Sequence, residues 1–207
     1  MNELGIHVKH SLLARVFLTI YVINMNRIIF QQMFGRLSVA NALISASESS
    51  DEIGVVLRMH LVTESFLEAF ICSALDNANV FATESDDKVV LKLNYHSKLV
   101  LAQKLGLPLP AYKGLEKLNN LRNKLAHRID HDLVTKPVID SISSHVRNII
   151  TEPNITLEEE RAEFFNTEGE STGIHSLSSN NTPNTIKLMI LISSLIRRTT
   201  QITVGFS

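Results

Sequence analysis

An arginine and a histidine five positions apart are the residues of this sequence best suited to chemistry. They lie in the segment Arg122-Asn123-Lys124-Leu125-Ala126-His127. An imidazole exchanges protons near neutral pH, and a guanidinium is a permanently charged fork that matches a phosphate or a carboxylate. Helical positions five apart differ by about 140° around the axis, so the two side chains would face the two sides of a cleft.

The helix predicted to carry Arg122 has an apolar face, and Arg122 falls within it. Leucines at 115, 118, 121 and 125 define that face. A guanidinium cannot lose its charge, so it needs a carboxylate, backbone carbonyls, a phosphate or a wet cleft. We expect Glu64, one turn after His60 on another predicted helix, to be its carboxylate partner. The alternative is that this pair only fixes helix register, with His127 stabilising a helix C-terminus.

Composition limits the class of protein. The chain has 20 Lys and Arg against 21 Asp and Glu, so it has no strong overall field for nucleic acid, although a local basic patch is allowed. The single cysteine, Cys72, excludes an intrachain disulfide and a cysteine-based zinc cluster. The apolar run Val16–Ile23 is shorter than the roughly 20 residues that a membrane span needs. We therefore expect a cytoplasmic protein with no membrane partner.

Hydrophobic periodicity and helix breakers predict five helical segments. Ser50 or Asp51 would cap the second of them, Gly106 would end the third, and Pro137 would precede the fifth. The segments span about 8–36, 52–77, 89–105, 112–129 and 138–150.

The rest of the chain predicts a polar insert followed by a final helix. Asn, Ser, Thr and Glu dominate 151–185, so we expect a partly disordered surface excursion with a short helix at Leu157–Phe165. The apolar segment Ile186–Arg198 would pack back onto the core. The predicted organisation is an N-terminal helical segment, a helical core, the insert and a C-terminal helix, at 1–50, 51–150, 151–185 and 186–207.

The segment Leu121–His127 resembles the signature of HEPN domains, which is an arginine, a polar residue, a short spacer and a histidine. The preceding stretch Asn94–Leu107 is similar to the helix before that signature in the HEPN-like group related to the mannitol operon repressor. The helix at Val55–Leu75 also fits that group, so the resemblance covers roughly 52–135. It implies an all-α, HEPN-like bundle of about five helices, with an added N-terminal and C-terminal helix, that commonly dimerises.

The resemblance also implies a metal-independent RNA endonuclease without a cofactor, of a kind found among toxins and defence proteins. Arg122 would stabilise the scissile phosphate, and His127 would move protons at the ribose 2′-hydroxyl and the leaving oxygen. Asn123 would orient the site. These residue types suit the reaction, because it needs proton transfer near neutral pH and builds charge on phosphate oxygens. The supporting and RNA-binding positions would be Glu64, His60, Lys124 and Arg128.

Other interpretations stay open. Relatives of the mannitol operon repressor are generally regarded as regulators, so the chain could be a non-catalytic module that binds a protein partner, such as an antitoxin or a regulator. Lysines along a helix are often only a solvated face. His127 and His131, with the neighbouring aspartates, could hold a divalent ion weakly. A homodimer is expected for either function, and the exposure of Arg122 distinguishes them.

Overall fold

The structure, a computed structural model, describes residues 25–47, 49, 51–82, 91–125, 133–152, 155–165 and 171–205. Over these residues the chain is mostly helical, which confirms the predicted all-α bundle. The helices are α1 (Arg27–Phe34), α2 (Leu37–Ser47), α3 (Glu52–Ala74), α4 (Tyr95–Lys104), α5 (Leu109–Leu125), α6 (Lys136–Arg147) and α7 (Asn184–Thr203). A 3-10 turn at Leu157–Glu159 precedes an antiparallel pair of strands, β1 (Arg161–Phe165) and β2 (Ser171–Ser176).

The long helix α3 is the centre of the bundle. It begins where the carboxylate of Asp51 accepts hydrogen bonds from Ile53 N at 3.1 Å and Gly54 N at 2.9 Å, as the capping cluster predicts. Helices α1, α2, α4, α5 and α7 all pack against it. Most of its apolar side chains are therefore buried, including Met59, Phe66 and Phe70.

The final helix α7 returns to the core as its apolar sequence predicts, and it contacts α3, α5 and α6. Leu191 and Leu195 are fully buried. At the crossing with α5, a Cβ added to Gly114 would lie 2.5 Å from Leu195 Cδ1. The absence of a side chain at Gly114 therefore lets these two helices approach closely.

The N-terminal prediction needs correction. Instead of one helix over 8–36, a helix begins at Arg27, because Asn26 Oδ1 accepts hydrogen bonds from Ile28 N at 3.0 Å and Ile29 N at 3.1 Å. It ends before Gly35, and α2, which the sequence did not predict, follows. Residues 1–24 lie outside the described residues.

Capping residues also shift two boundaries near the site. Helix α4 begins at Tyr95 rather than near 89, because Asn94 Oδ1 accepts a hydrogen bond from Ser97 N at 2.9 Å. Gly106 follows its end with a φ of 100°, a left-handed conformation that favours glycine. Helix α5 begins at Leu109, before Pro110, because proline in a first turn removes only an N–H that has no partner within the helix.

The predicted short helix at Leu157–Phe165 is wrong, because only a 3-10 turn forms and β1 follows it. Between turn and strand, Glu160 ties the insert to α7. Its Oε1 accepts hydrogen bonds from Ser194 Oγ at 3.0 Å and from the buried Arg198 Nη2 at 3.0 Å. The described parts of the insert are thus ordered around an ion pair with α7.

Candidate functional site

A polar cleft of about 380 Å³ opens where α3, the start of α4 and the second half of α5 meet. It brings together Arg122, Asn123, His60 and Glu64, all of which the sequence predicts as site residues. His127 and Arg128 lie outside the described residues. The complete lining is His60, Glu64, Asn94, Tyr95, His96, Asn119, Arg122 and Asn123.

Arg122 is exposed in this cleft, although the helical wheel places it on the apolar face. Leu118 and Leu121 of the same helix are buried, whereas the space beside Arg122 is lined by polar side chains. Its Nη1 donates a hydrogen bond to Asn123 Oδ1 at 3.3 Å. Among the described residues no carboxylate forms an ion pair with Arg122, so the expected contact with Glu64 is corrected.

Glu64 is engaged by a lysine instead. The buried Lys98 Nζ lies 2.7 Å from Glu64 Oε1 and 2.5 Å from Glu68 Oε1. Burial opposes the charge of Lys98, but the hydrogen bonds and charges of the two carboxylates outweigh it, so its pKa is raised. Because Glu64 is paired with Lys98, Arg122 keeps its guanidinium free of an ion pair with any carboxylate that the structure describes in the cleft.

His60 lines the cleft on the side of α3 and is mostly buried. Its ring packs against the ring of Tyr95, with centroids 4.1 Å apart and planes inclined by 30°, and its Nε2 lies 3.1 Å from Asn119 Oδ1. Burial lowers the pKa of His60, and Arg122 and Lys98 act in the same direction, against the effects of Asn119 and Glu64. The imidazole is therefore neutral at neutral pH. With Nε2 donating to Asn119, Nδ1 is the unprotonated nitrogen of the ring.

Two hydrogen bonds, one between α4 and α3 and one within α3, hold this ring pair in place. Tyr95 Oη donates to Thr63 Oγ1 at 3.0 Å, and Thr63 Oγ1 donates to the backbone oxygen of His60 at 2.8 Å. Burial strongly raises the pKa of Tyr95, so its hydroxyl stays protonated and keeps donating. Tyr95 thus restricts the position of the His60 ring by packing against it.

The sequence did not identify Asn94, His96 or Asn119 as parts of this site. For Asn119 a signal existed, because it lies three and four positions before Arg122 and Asn123 and therefore shares their side of α5. For His96 there was none, because only the docking of α4 against α3 brings it to the cleft.

Lys124 does not join this cleft. It lines a second polar groove, of about 680 Å³, between α5 and α6. Asn123 lines both spaces. We call the second one the α5–α6 groove, and its lining is Lys117, Asn120, Leu121, Asn123, Lys124, Pro137, Val138 and Ser141.

The described residues offer neither a metal-binding cluster nor a membrane-spanning helix. No group of three or more histidine, cysteine, aspartate or glutamate side chains is placed to hold a metal ion there. The weak site considered at His127 and His131 lies outside that range. Within the same residues, none of the helices combines the length and hydropathy that crossing a bilayer requires.

Comparison with protein-family models, curated proteins and solved structures finds no match to this chain. The resemblance to HEPN domains therefore stays a prediction that rests on the residues quoted for it.

Proposed function

We propose that this chain is a metal-independent RNA endonuclease of the HEPN kind, acting at the cleft of Arg122. The observation that carries the proposal is that the Arg122 guanidinium opens into a polar cleft with no paired carboxylate among the described residues. A permanent charge in that setting suits a phosphate ligand. The neutral His60 in the same cleft adds a group able to accept a proton.

In the proposed reaction the 2′-hydroxyl of a ribose attacks the adjacent phosphorus. A base removes the hydroxyl proton, the new oxygen–phosphorus bond forms, and the bond to the 5′-oxygen of the next nucleotide breaks. That oxygen receives a proton, which leaves a 2′,3′-cyclic phosphate and a free 5′-hydroxyl. By the resemblance, His127 handles these protons, and Arg122 stabilises the charge that builds on the non-bridging oxygens.

The other cleft residues would support these roles. Asn123 accepts a hydrogen bond from Arg122 Nη1 and so restricts where the guanidinium points. His60, neutral and with Nδ1 as an acceptor, is placed to receive a hydrogen bond from a ribose hydroxyl. Glu64, paired with Lys98, would repel the phosphate less than an unpaired carboxylate would.

A homodimer belongs to this proposal, and an exposed stripe of α3 favours it. Ile53, Leu57 and Leu61 are 37%, 40% and 58% exposed and recur every four residues. They follow one side of α3 next to His60 and Glu64. A second copy packed on this stripe by two-fold symmetry would bury the same apolar side chains of both protomers and bring the two clefts close together.

The test is cleavage of end-labelled total RNA by the purified protein in EDTA. We expect fragments ending in a cyclic phosphate from the wild type and from Arg36→Ala, a matched control because Arg36 is also exposed but lies outside the cleft. We expect none from Arg122→Ala or His127→Ala. Absence of cleavage by the folded wild type would overturn the proposal in favour of a non-catalytic module that binds a protein partner.

A further inference from the structure

Of the residues that the structure describes, two lysines and no acidic side chain line the α5–α6 groove. Lys117 and Lys124 are exposed, and among the described residues neither forms an ion pair. The uncharged polar side chains in the lining are Asn120, Asn123 and Ser141, and no aspartate or glutamate is among the lining residues. The groove therefore presents positive charge and hydrogen-bonding groups together.

Another polar cleft, on the other side of α6, differs because acidic and basic residues share its lining. There Lys136 pairs with Asp140 at 2.9 Å, and Arg147 pairs with Glu158 at 2.6 Å, with all four side chains in the lining. The overall charge of the chain is −1. Against that background, two unpaired lysines in one groove mark a local site for an anionic ligand.

Lys117 also affects the pKa of His145, a residue of α6. Burial is the first cause that lowers the pKa of His145 on α6, and the charges of Lys117 and Lys113 lower it further, while Glu116 opposes them. Glu116 forms an ion pair with Lys113 at 3.0 Å and none with Lys117, although the charge of Lys117 also lowers the pKa of Glu116. The charge of Lys117 therefore acts on the side of α5 that faces α6.

The geometry of α5 relates this groove to the cleft of Arg122. Lys117 and Lys124 lie on one side of the helix, separated by about 10 Å along its axis. Arg122 points roughly 140° to 160° away from them. Asn123 lies between the two sides and lines both spaces. A ligand that contacts all three cations must therefore bend around the C-terminal half of α5.

We propose that the α5–α6 groove binds the sugar–phosphate backbone of single-stranded RNA, several nucleotides from a phosphate held at Arg122. This inference rests on the proposed function and names its substrate class. Lys117 and Lys124 bind successive phosphates, and the strand crosses α5 at Asn123 to reach the cleft. A double helix is excluded as the ligand of both sites, because a duplex is too stiff to bend around a helix about 10 Å wide.

The test is the salt dependence of RNA binding, followed by fluorescence anisotropy in EDTA. The probe is a labelled single strand of about 12 nucleotides, within the usual site size of single-strand-binding proteins, and the control probe is its blunt duplex. The proteins are the full chain as His127→Ala, to prevent cleavage while keeping Arg122, and the same chain with Lys117→Gln and Lys124→Gln. The matched control carries Lys104→Gln, since Lys104 is exposed and outside both spaces.

A plot of log affinity against log salt has a negative slope, and each phosphate contact to a single strand contributes about 0.7 to its magnitude. We therefore expect the double substitution to reduce the magnitude of the slope by about 1.4. Lys104→Gln should leave the slope unchanged, and the duplex should bind more weakly than the single strand. An unchanged slope in the double variant, or equal binding of the duplex, overturns the inference. The failure of the nuclease proposal is distinguishable, because the wild type would then bind the single strand with the predicted slope and leave it intact.

Discussion

Lys98 Nζ lies 2.7 Å from Glu64 Oε1, so the carboxylate nearest to the candidate site is committed to a buried lysine. This pairing decides the character of the cleft. Were Glu64 free, it would attract Arg122 and compete with any phosphate. Lys98 would thus affect ligand binding without touching the ligand, because it forms an ion pair with Glu64.

Replacing Lys98 with methionine tests that relationship. We expect a loss of roughly 1–3 kcal/mol in the free energy of unfolding, because Glu64 and Glu68 lose a shared partner but are still partly hydrated. We also expect weaker single-strand binding at Arg122. Lys98→Met combined with Glu64→Gln should restore binding but not all of the stability. Urea denaturation and anisotropy measure the two effects, and unaltered binding in the single variant would contradict the role given to Lys98.

The pH dependence of stability reports on His60. Its folded pKa is lowered, so the unfolded chain binds more protons as pH falls through the ordinary value of 6.5. The stability that burial of the neutral ring contributes is present above that pH and is lost as pH falls towards the folded pKa. We expect thermal melting to decline between neutral pH and pH 5, and to decline less in His60→Gln. An identical decline in both proteins would show that other groups carry it, and His145 is the first to examine.

The crossing of α5 and α7 should not tolerate a larger residue at Gly114. A methyl group there meets Leu195 Cδ1, and Leu195 is fully buried and cannot move away freely. We expect Gly114→Ala to lower the free energy of unfolding by about 1–3 kcal/mol, the usual cost of overpacking. The variant that combines Gly114→Ala with Leu195→Ala should still be less stable than the wild type, because the shortened side chain leaves a cavity. Its loss of free energy of unfolding should be smaller than the sum of the two single losses, and a double-mutant cycle measures this coupling. Additive effects would mean that the two positions do not collide.

The insert should depend on Glu160. Its removal would leave the buried guanidinium of Arg198 with only hydrogen bonds to Ser194 and to the backbone oxygens of Ile149 and Ile155. We expect Glu160→Gln to destabilise the protein by about 2–4 kcal/mol. Hydrogen exchange should increase in β1 and β2 before it increases in α3. Glu158→Gln, in an exposed pair with Arg147, is the control and should have little effect.

The proposed dimer can be tested without RNA. Leu57→Glu and Leu61→Glu place charges on the exposed stripe of α3, away from the core, and should convert the dimer to a folded monomer. Light scattering after gel filtration gives the mass, and circular dichroism checks the fold. Ile202→Glu, at another exposed apolar position, should leave the mass unchanged. A wild type that is monomeric throughout would contradict this part of the proposal.

The sequence predicts the elements that depend on local signals. Apolar periodicity with the Asp51 cap identifies α3, and the apolar run at 186–198 identifies α7. The start of α1 was missed because the cap at Asn26 interrupts a stretch whose apolar pattern continues through it. The strand β1 was missed because its pairing with β2 is not a local property.

The candidate site likewise has features that local sequence predicts and features that depend on how the helices pack. That Arg122, Asn123, Glu64 and His60 share one region is predictable from two helical wheels, and the structure places all four in one cleft. Which cation pairs with Glu64 is not predictable, because the choice between Arg122 and Lys98 depends on how α4 docks against α3. The exposure of Arg122 likewise depends on where neighbouring helices end rather than on its own helix.

Asn123 borders two spaces and accepts a hydrogen bond from Arg122, so a change at this one position alters both surfaces together. Such a residue cannot be varied for one purpose alone. Adaptation to a different ligand would therefore be easier at positions that border a single space, such as His96 on one side and Ser141 on the other. Among natural variants of this chain, we expect Asn123 to change less often than either of them.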